Sequence, residues 1–246
     1  GEALEMRLCA GGRSDVGRRR RTNEDRFGED AGVGLYLVAD GMGGHTAGQV
    51  ASALAIDTTL DAVRAGTVGE GSLSERLRRA VAVANSRIFS AAQARPEYTG
   101  MGTTLVALLV EGARAAIAHV GDSRAYRVRE GRIRQLTDDH SVVGELQRRG
   151  AISADAAREH PHRHVLTRAV GVRPEIEPDL SEVGLEPGDV FVLCSDGLTH
   201  HVRDEEIARE VAAPGEPSEA CRRLVELANV RGGEDNVTVL VVRCDG

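Results

Sequence analysis

The sequence predicts an α/β (α+β) fold in which antiparallel β-sheets are covered by α-helices. Short apolar runs of strand length recur along the 246 residues, and some neighbouring runs are separated by only a tight turn. Helical periodicity comes in pairs of segments, two after the first strands and two before the last, which does not fit a β-α-β alternation.

The strand candidates are 34–39, 104–110, 114–120, 124–128, 132–136, 190–195 and 237–242. They are rich in Val, Leu, Ile and Ala, as a core must be when aromatics are 2 % of the chain and Trp is absent. The tetrapeptides EGAR (111–114) and REGR (129–132) sit where hairpins would reverse the chain. Helices are expected at 47–64, 73–93, 204–211 and 217–230, the last with Pro and Ser near its start. The polar stretch 137–180 is expected to be an irregular excursion over the site. We expect one domain over 1–246, with an excursion at about 140–165.

Composition removes several function classes. A net charge of -7 argues against general affinity for nucleic acid. All 31 basic residues are arginine, so chemistry that needs a P-loop, kinase or Schiff-base lysine is excluded. No apolar run approaches the roughly 18 residues that span a bilayer, and no secretory signal is visible, so no membrane contact is expected. The four cysteines are far apart without a C-x-x-C pair, which fits a reducing cytoplasm.

The strand ends carry the chemistry. Asp40, Asp122 and Asp196 each follow an apolar run, and Asp235 shortly precedes the last one. A lone Asp-Gly is ordinary turn chemistry. Several such ends converging on one place would repel, and must either hold protons or share cations. Carboxylates, a backbone carbonyl at Gly41 and water are hard donors suited to Mg²⁺ or Mn²⁺, whereas zinc more often recruits His or Cys. Two such ions suit in-line displacement at phosphorus. The stretch SDVGRRRRTNEDRFG (14–28) adds arginines for a phosphate and an acidic pair, Glu24 and Asp25.

In chain order, GRRRRTNED, VADGMGGHTAG, GMGTTLVALL, HVGDSRAYRVREGRIRQLTDDHS, RHVLTRAVG, LCSDGLTHHV and GGEDNVTVLVV resemble the metal-dependent serine/threonine phosphatases of the protein phosphatase 2C (PPM) family, in its bacterial form. The resemblance implies a sandwich of two antiparallel sheets flanked by helices, with a binuclear metal site at one end. It assigns Asp40 as the bridge between two Mn²⁺ or Mg²⁺ ions, Gly41 as a carbonyl ligand, and Asp196 and Asp235 as the completing ligands. Asp122 corresponds to the family's ligand for a third ion, shared with Asp196. Glu24 and Asp25 look like the pair that orients water. The family spacing G-x-x-R-x-x-N-x-D, counted from Gly17, selects Arg20 as the phosphate clamp. The implied partners are phosphorylated Ser/Thr proteins, an autophosphorylated kinase among them, with the enzyme a monomer.

One position departs from the pattern. Many eukaryotic members place a His, proposed as general acid, where this chain has Met42, so that role does not transfer. His45 is a nearby alternative, although a loop His more often has a structural role. A degenerate family member acting as a regulatory binding module, or a phosphatase for an anti-sigma-factor antagonist, are the alternatives. Weaker readings are Ser123 in GDSR as an esterase nucleophile, His160, His162 and His164 as metal ligands in a His-rich loop, and Asn236 as a glycosylation acceptor.

Overall fold

The computed structural model describes residues 6–44 and 46–246. The chain opens with three strands, β1 (Arg7–Asp15), β2 (Asp25–Asp30) and β3 (Leu35–Met42), followed by helices α1 (Ala47–Arg64) and α2 (Leu73–Ala94). A short β4 (Gly102–Thr103) leads into β5 (Leu105–Glu111), β6 (Arg114–Val120), β7 (Arg124–Arg129) and β8 (Arg132–Gln135). Helices α3 (Val142–Arg148) and α4 (Ala154–Arg158) come next, then β9 (Asp179–Gly184) and β10 (Val190–Cys194). Helices α5 (Asp196–Thr199), α6 (Asp204–Ala212) and α7 (Pro217–Val230) precede β11 (Val237–Asp245).

The strands form two antiparallel sheets. One runs β1-β11-β10-β7-β8; the other runs β2-β3-β5-β6-β9, with β4 on β3. The hairpins fall at the two expected places, with Glu111 opposite Arg114 and Arg129 opposite Arg132. The second of these carries positive φ at both central residues, Glu130 (50°) and Gly131 (74°), the twist that matches a two-residue hairpin.

Apolar residues sort into three layers. Leu35, Leu37 and Ala39 of β3 face α1 and α2, while Tyr36 and Val38 face Phe191, Leu193 and Leu240 of the other sheet. A strand buried on both faces needs the unbroken apolar run seen there. Val192, Cys194 and Val239 pack outward on α6 and α7. α2 is started by a capping box, Ser72 with Glu75, and α7 has Pro217 in its first turn.

Several elements differ from expectation. The stretch 137–180 is not irregular throughout: Ser141 and Ser153 each cap a short helix, and Asp179 already begins β9. β1 and β2 were not visible in the apolar pattern, because each contains glycine set against a close neighbour. A Cβ on Gly11 would lie 2.5 Å from the Ser218 nitrogen of α7, and one on Gly28 would lie 2.5 Å from Ile56 of α1.

Candidate active site

Strand pairing brings the acidic residues together. In the β2–β3 register Asp25 lies opposite Asp40, so the acidic pair and the predicted bridging residue occupy adjacent strand ends. Asp196 follows β10, and Asp235 lies just before the neighbouring β11. Asp122 lies in the β6–β7 turn. Glu24 and Arg20 sit in the loop before β2, within electrostatic reach of Asp235. The structure therefore gathers Arg20, Glu24, Asp25, Asp40, Gly41, Asp122, Asp196 and Asp235 at one end of the sandwich.

Asp25 is fully buried, and its Oδ2 accepts from Ser195 Oγ and Thr238 Oγ1, each at 2.7 Å. A hydroxyl has one proton to give, so the direction of the chain behind Thr238 is fixed. Asn23 Nδ2 donates to Ser14 Oγ at 2.8 Å, and Ser14 then donates to Thr238 Oγ1 at 2.7 Å. Burial outweighs these hydroxyl donors and, together with the charges of Asp196 and Asp235, raises the Asp25 carboxyl to about 7.

Asp40 is held through its backbone. Its N–H donates to Thr104 Oγ1 at 2.9 Å, and its carbonyl accepts from Thr104 N at 2.9 Å and Thr103 Oγ1 at 3.0 Å. Its carboxyl is pushed well above the ordinary value by burial and by Asp25, Asp196, Asp122 and Asp235. Burial and Asp196 push Asp122 upward as well. Asp196 moves the other way: against its burial, the imidazoles of His200 and His164 and the Asp40 carboxyl hold it down to about 2.

The loop carrying Arg20 is fastened to the loop carrying Asp235. Arg20 Nη2 donates to Asp235 Oδ2 at 2.8 Å. Asn236 Oδ1 accepts from Glu24 N at 2.9 Å, while its Nδ2 donates to the Val16 and Thr22 carbonyls, each at 2.9 Å. Gly17 has φ +83°, and a Cβ there would lie 2.2 Å from the Asp235 carbonyl oxygen. Gly41 is equally constrained: its Cβ would meet the Gly48 carbonyl oxygen of α1 at 1.9 Å.

The donor set fits divalent cations of the Mg²⁺ or Mn²⁺ type. Within it, Asp25, Asp40 and Asp122 are pushed toward protonation by burial and by neighbouring carboxylates, which a cation relieves. Asp25 Oδ1 and Asp196 Oδ1 are buried and find no hydrogen-bond partner among the described residues. The tightest three-ligand groups there are His164–Asp196–His200 and His119–His140–Asp179.

Ser123 is buried, with its Oγ 2.6 Å from Thr104 Oγ1, so it braces the Asp40 strand. Asn236 has both side-chain polar atoms engaged inside the fold and is no glycosylation acceptor. Of the three loop histidines, His164 reaches the site, its Nδ1 3.8 Å from Asp196 Oδ2, beside His200 Nδ1 at 3.7 Å. Met42 ends β3 opposite Gly102, and His45 lies outside the described residues.

Sequence reasoning missed Ser195, Thr238 and Asn236 as supports. Ser195 and Asn236 are signalled only by adjacency to predicted acids, and Thr238 not at all: their partners are 170 to 213 positions away, beyond any local pattern. His200 was missed as well; its signal is its place four residues after Asp196 on one helical face.

Two antiparallel sheets between helices, with a carboxylate cradle and an arginine at one end, define a metal-dependent phosphoryl-transfer architecture. The family model for protein phosphatase 2C matches residues 16–228, and the chain belongs to that family. The serine/threonine phosphatase stp of Listeria monocytogenes is 40% identical over 238 residues, which cover 95% of this chain and 94% of that protein. The serine/threonine protein phosphatase PstP of Mycobacterium tuberculosis is 43% identical over 97% of this chain, which corresponds to 45% of PstP. The crystal structure of the M. tuberculosis PstP/Ppp phosphatase superposes with a TM-score of 0.88 at 40% identity, covering 97% of this chain and 99% of that one. A structure of the PstP catalytic domain in complex with 2 manganese ions gives a TM-score of 0.87 at 39% identity, covering 98% and 100%.

Proposed function

We propose that this chain hydrolyses phosphoserine and phosphothreonine in proteins, using divalent cations held by Asp40, Gly41, Asp196 and Asp235, with Asp122 and Asp196 offering a further position. The observation that carries the reading is the junction of Arg20 with Asp235 beside Asp25, Asp40 and Asp196: a phosphate donor fork at the edge of a carboxylate cradle. Divalent cations bound in such a cradle supply an activated water and neutralise charge at phosphorus.

The residues of the chain do the rest. Arg20 receives the phosphate, its planar fork matching two phosphoryl oxygens. Its present partner, Asp235, is a proposed cation ligand, and with its carboxylate engaged by a cation the guanidinium would be free for substrate. Asp25 Oδ2 is saturated by Ser195 and Thr238, which leaves Oδ1 as the atom able to take a proton from water. Glu24, whose backbone is pinned by Asn236, orients that water from the loop side.

Retention of Arg20, Asp40, Asp196 and Asp235 in one place supports an enzyme over a binding module. Residues 1–246 form a single catalytic domain in this reading, and the segment at about 140–165 is a flap. It is fastened at its base, where Val142 N donates to the Val165 carbonyl at 2.9 Å, and at its far side by Arg158 Nη1 to the Thr199 carbonyl at 2.8 Å. It covers a groove that also contains Asp122 and Asp196, and so biases which phosphoproteins enter. A cytoplasmic location is supported by the free state of Cys9, Cys194, Cys221 and Cys244. Among the described residues no helix is long and apolar enough to cross a membrane. One copy supplies every site residue, which favours a monomer acting on phosphorylated proteins such as an autophosphorylated kinase.

The reading is tested by phosphate release from a phosphothreonine peptide by the Mn²⁺-supplemented wild type and by Asp196→Asn. Turnover in the first and none in the second is expected; equal turnover in both would remove Asp196 from the site.

A further inference from the structure

Arg19 and Arg21 flank the phosphate clamp, and nothing in the function proposed above, on which this inference rests, uses them. They belong to a run of four consecutive arginines, 18–21, in a chain of net charge -7. The run is not a loose surface loop. The backbone N–H groups of Arg18 and Arg19 both donate to the Gly233 carbonyl, at 2.7 and 3.2 Å, which fixes the turn on the loop that carries Asp235.

The side chains are used unequally. Arg20 pairs with Asp235, whereas those of Arg18, Arg19 and Arg21 are exposed and form no ion pair or hydrogen bond among the described residues. Arg18 leans back over Gly233, its Cγ 2.7 Å from where a Cβ on that glycine would be. Arg19 and Arg21 line an open groove together with Arg20, Glu24 and the loop residues Gly43 and Gly44, just beyond Asp40 and Gly41. Adjacent guanidinium groups repel, and the groove offers Glu24 as their counter-charge. An anionic occupant removes that repulsion. A scissile phosphate on Arg20 leaves two forks unfilled, each suited to a carboxylate or a phosphate.

We propose that Arg19 and Arg21 form a second anion subsite, which selects phosphoserine and phosphothreonine segments bearing another anionic group close to the scissile phosphate. The group is a carboxylate side chain or a second phosphate. The position of these arginines on a groove leading into the catalytic end, in a chain otherwise negative, favours a substrate segment over a nucleic acid or membrane surface.

The test compares three phosphothreonine peptides with neutral flanks, with acidic flanks and with a second phosphothreonine. Wild type and the Arg19→Ala/Arg21→Ala variant are assayed with Mn²⁺, with p-nitrophenyl phosphate as a substrate lacking flanks. Two exposed ion pairs correspond to about a three- to tenfold higher kcat/KM for one or both anionic peptides, carried in KM. In the variant that preference disappears, while turnover of p-nitrophenyl phosphate stays within about twofold. The acidic and doubly phosphorylated arms show which anion is preferred.

Equal kcat/KM for all three peptides in wild type, or a preference that survives in the variant, overturns the subsite. If wild type hydrolyses nothing, the functional reading fails. Fluorescence anisotropy of the labelled peptides then decides the subsite alone: tighter binding of the anionic ones by wild type only upholds it, and equal binding overturns it. Variant-sensitive binding confined to phosphatidylglycerol vesicles assigns the arginines to a membrane and also overturns it.

Discussion

The Arg20 guanidinium donates to the Asp235 carboxylate at 2.8 Å, joining residues 215 positions apart at the mouth of the site. The pair is partly exposed, so its value lies in placement more than in stability. Arg20→Ala should raise KM for a phosphopeptide by about tenfold or more, with a smaller change in kcat, because the guanidinium contacts phosphate in ground and transition states alike. Steady-state kinetics checks this; an unchanged KM would move the clamp to another arginine.

Asp40→Asn should lower turnover by at least about a hundredfold while leaving the fold intact. Its backbone anchors to Thr103 and Thr104 do not involve the carboxylate. The substitution also removes one of several mutually repelling carboxyls, so the metal-free variant should melt no lower than metal-free wild type at pH 8. Calorimetry in EDTA, beside the activity assay, separates a lost ligand from a lost fold.

Gly41→Ala should destabilise the protein by about 1–3 kcal/mol through overpacking, since the new methyl would meet the Gly48 carbonyl oxygen at 1.9 Å. Urea unfolding measures the loss. A variant as stable as wild type would mean that β3 and α1 are less closely set than described.

His140 gives a pH signature away from the carboxylate cradle. Its Nδ1 accepts from Gly121 N at 3.1 Å, so the ring proton sits on Nε2, which faces Asp179 Oδ2 at 3.1 Å. Burial, aided by stacked His119 and by Arg168, holds the His140 pKa below its ordinary value despite Asp179. A depressed folded pKa gives stability that is complete above about 6.5 and is lost as pH falls from there through the folded value. The stability of wild type relative to His140→Gln should therefore shrink as pH falls below about 6.5. A difference independent of pH would contradict a depressed His140 pKa.

The acidic strand ends were legible because each combines a buried run with a carboxylate, a costly pairing without a reason. The four long helices were legible from their periodicity: 47–64 and 217–230 match α1 and α7 end to end. β1 and β2 were not, since Gly11, Gly12 and Gly28 dilute the apolar alternation, and only the packing of Ser218, Phe27 and Ile56 explains them. The hydroxyl relay Asn23–Ser14–Thr238–Asp25 was also hidden. It joins residues from three separate stretches, and no local period encodes it.

The most direct test of the account is phosphate release from a phosphothreonine peptide by protein stripped with EDTA and then titrated with Mn²⁺. The account predicts no turnover in EDTA and recovery as Mn²⁺ is added, with none recovered by Asp40→Asn. Turnover that persists in EDTA, or folded protein that stays inactive at every Mn²⁺ concentration, would contradict it.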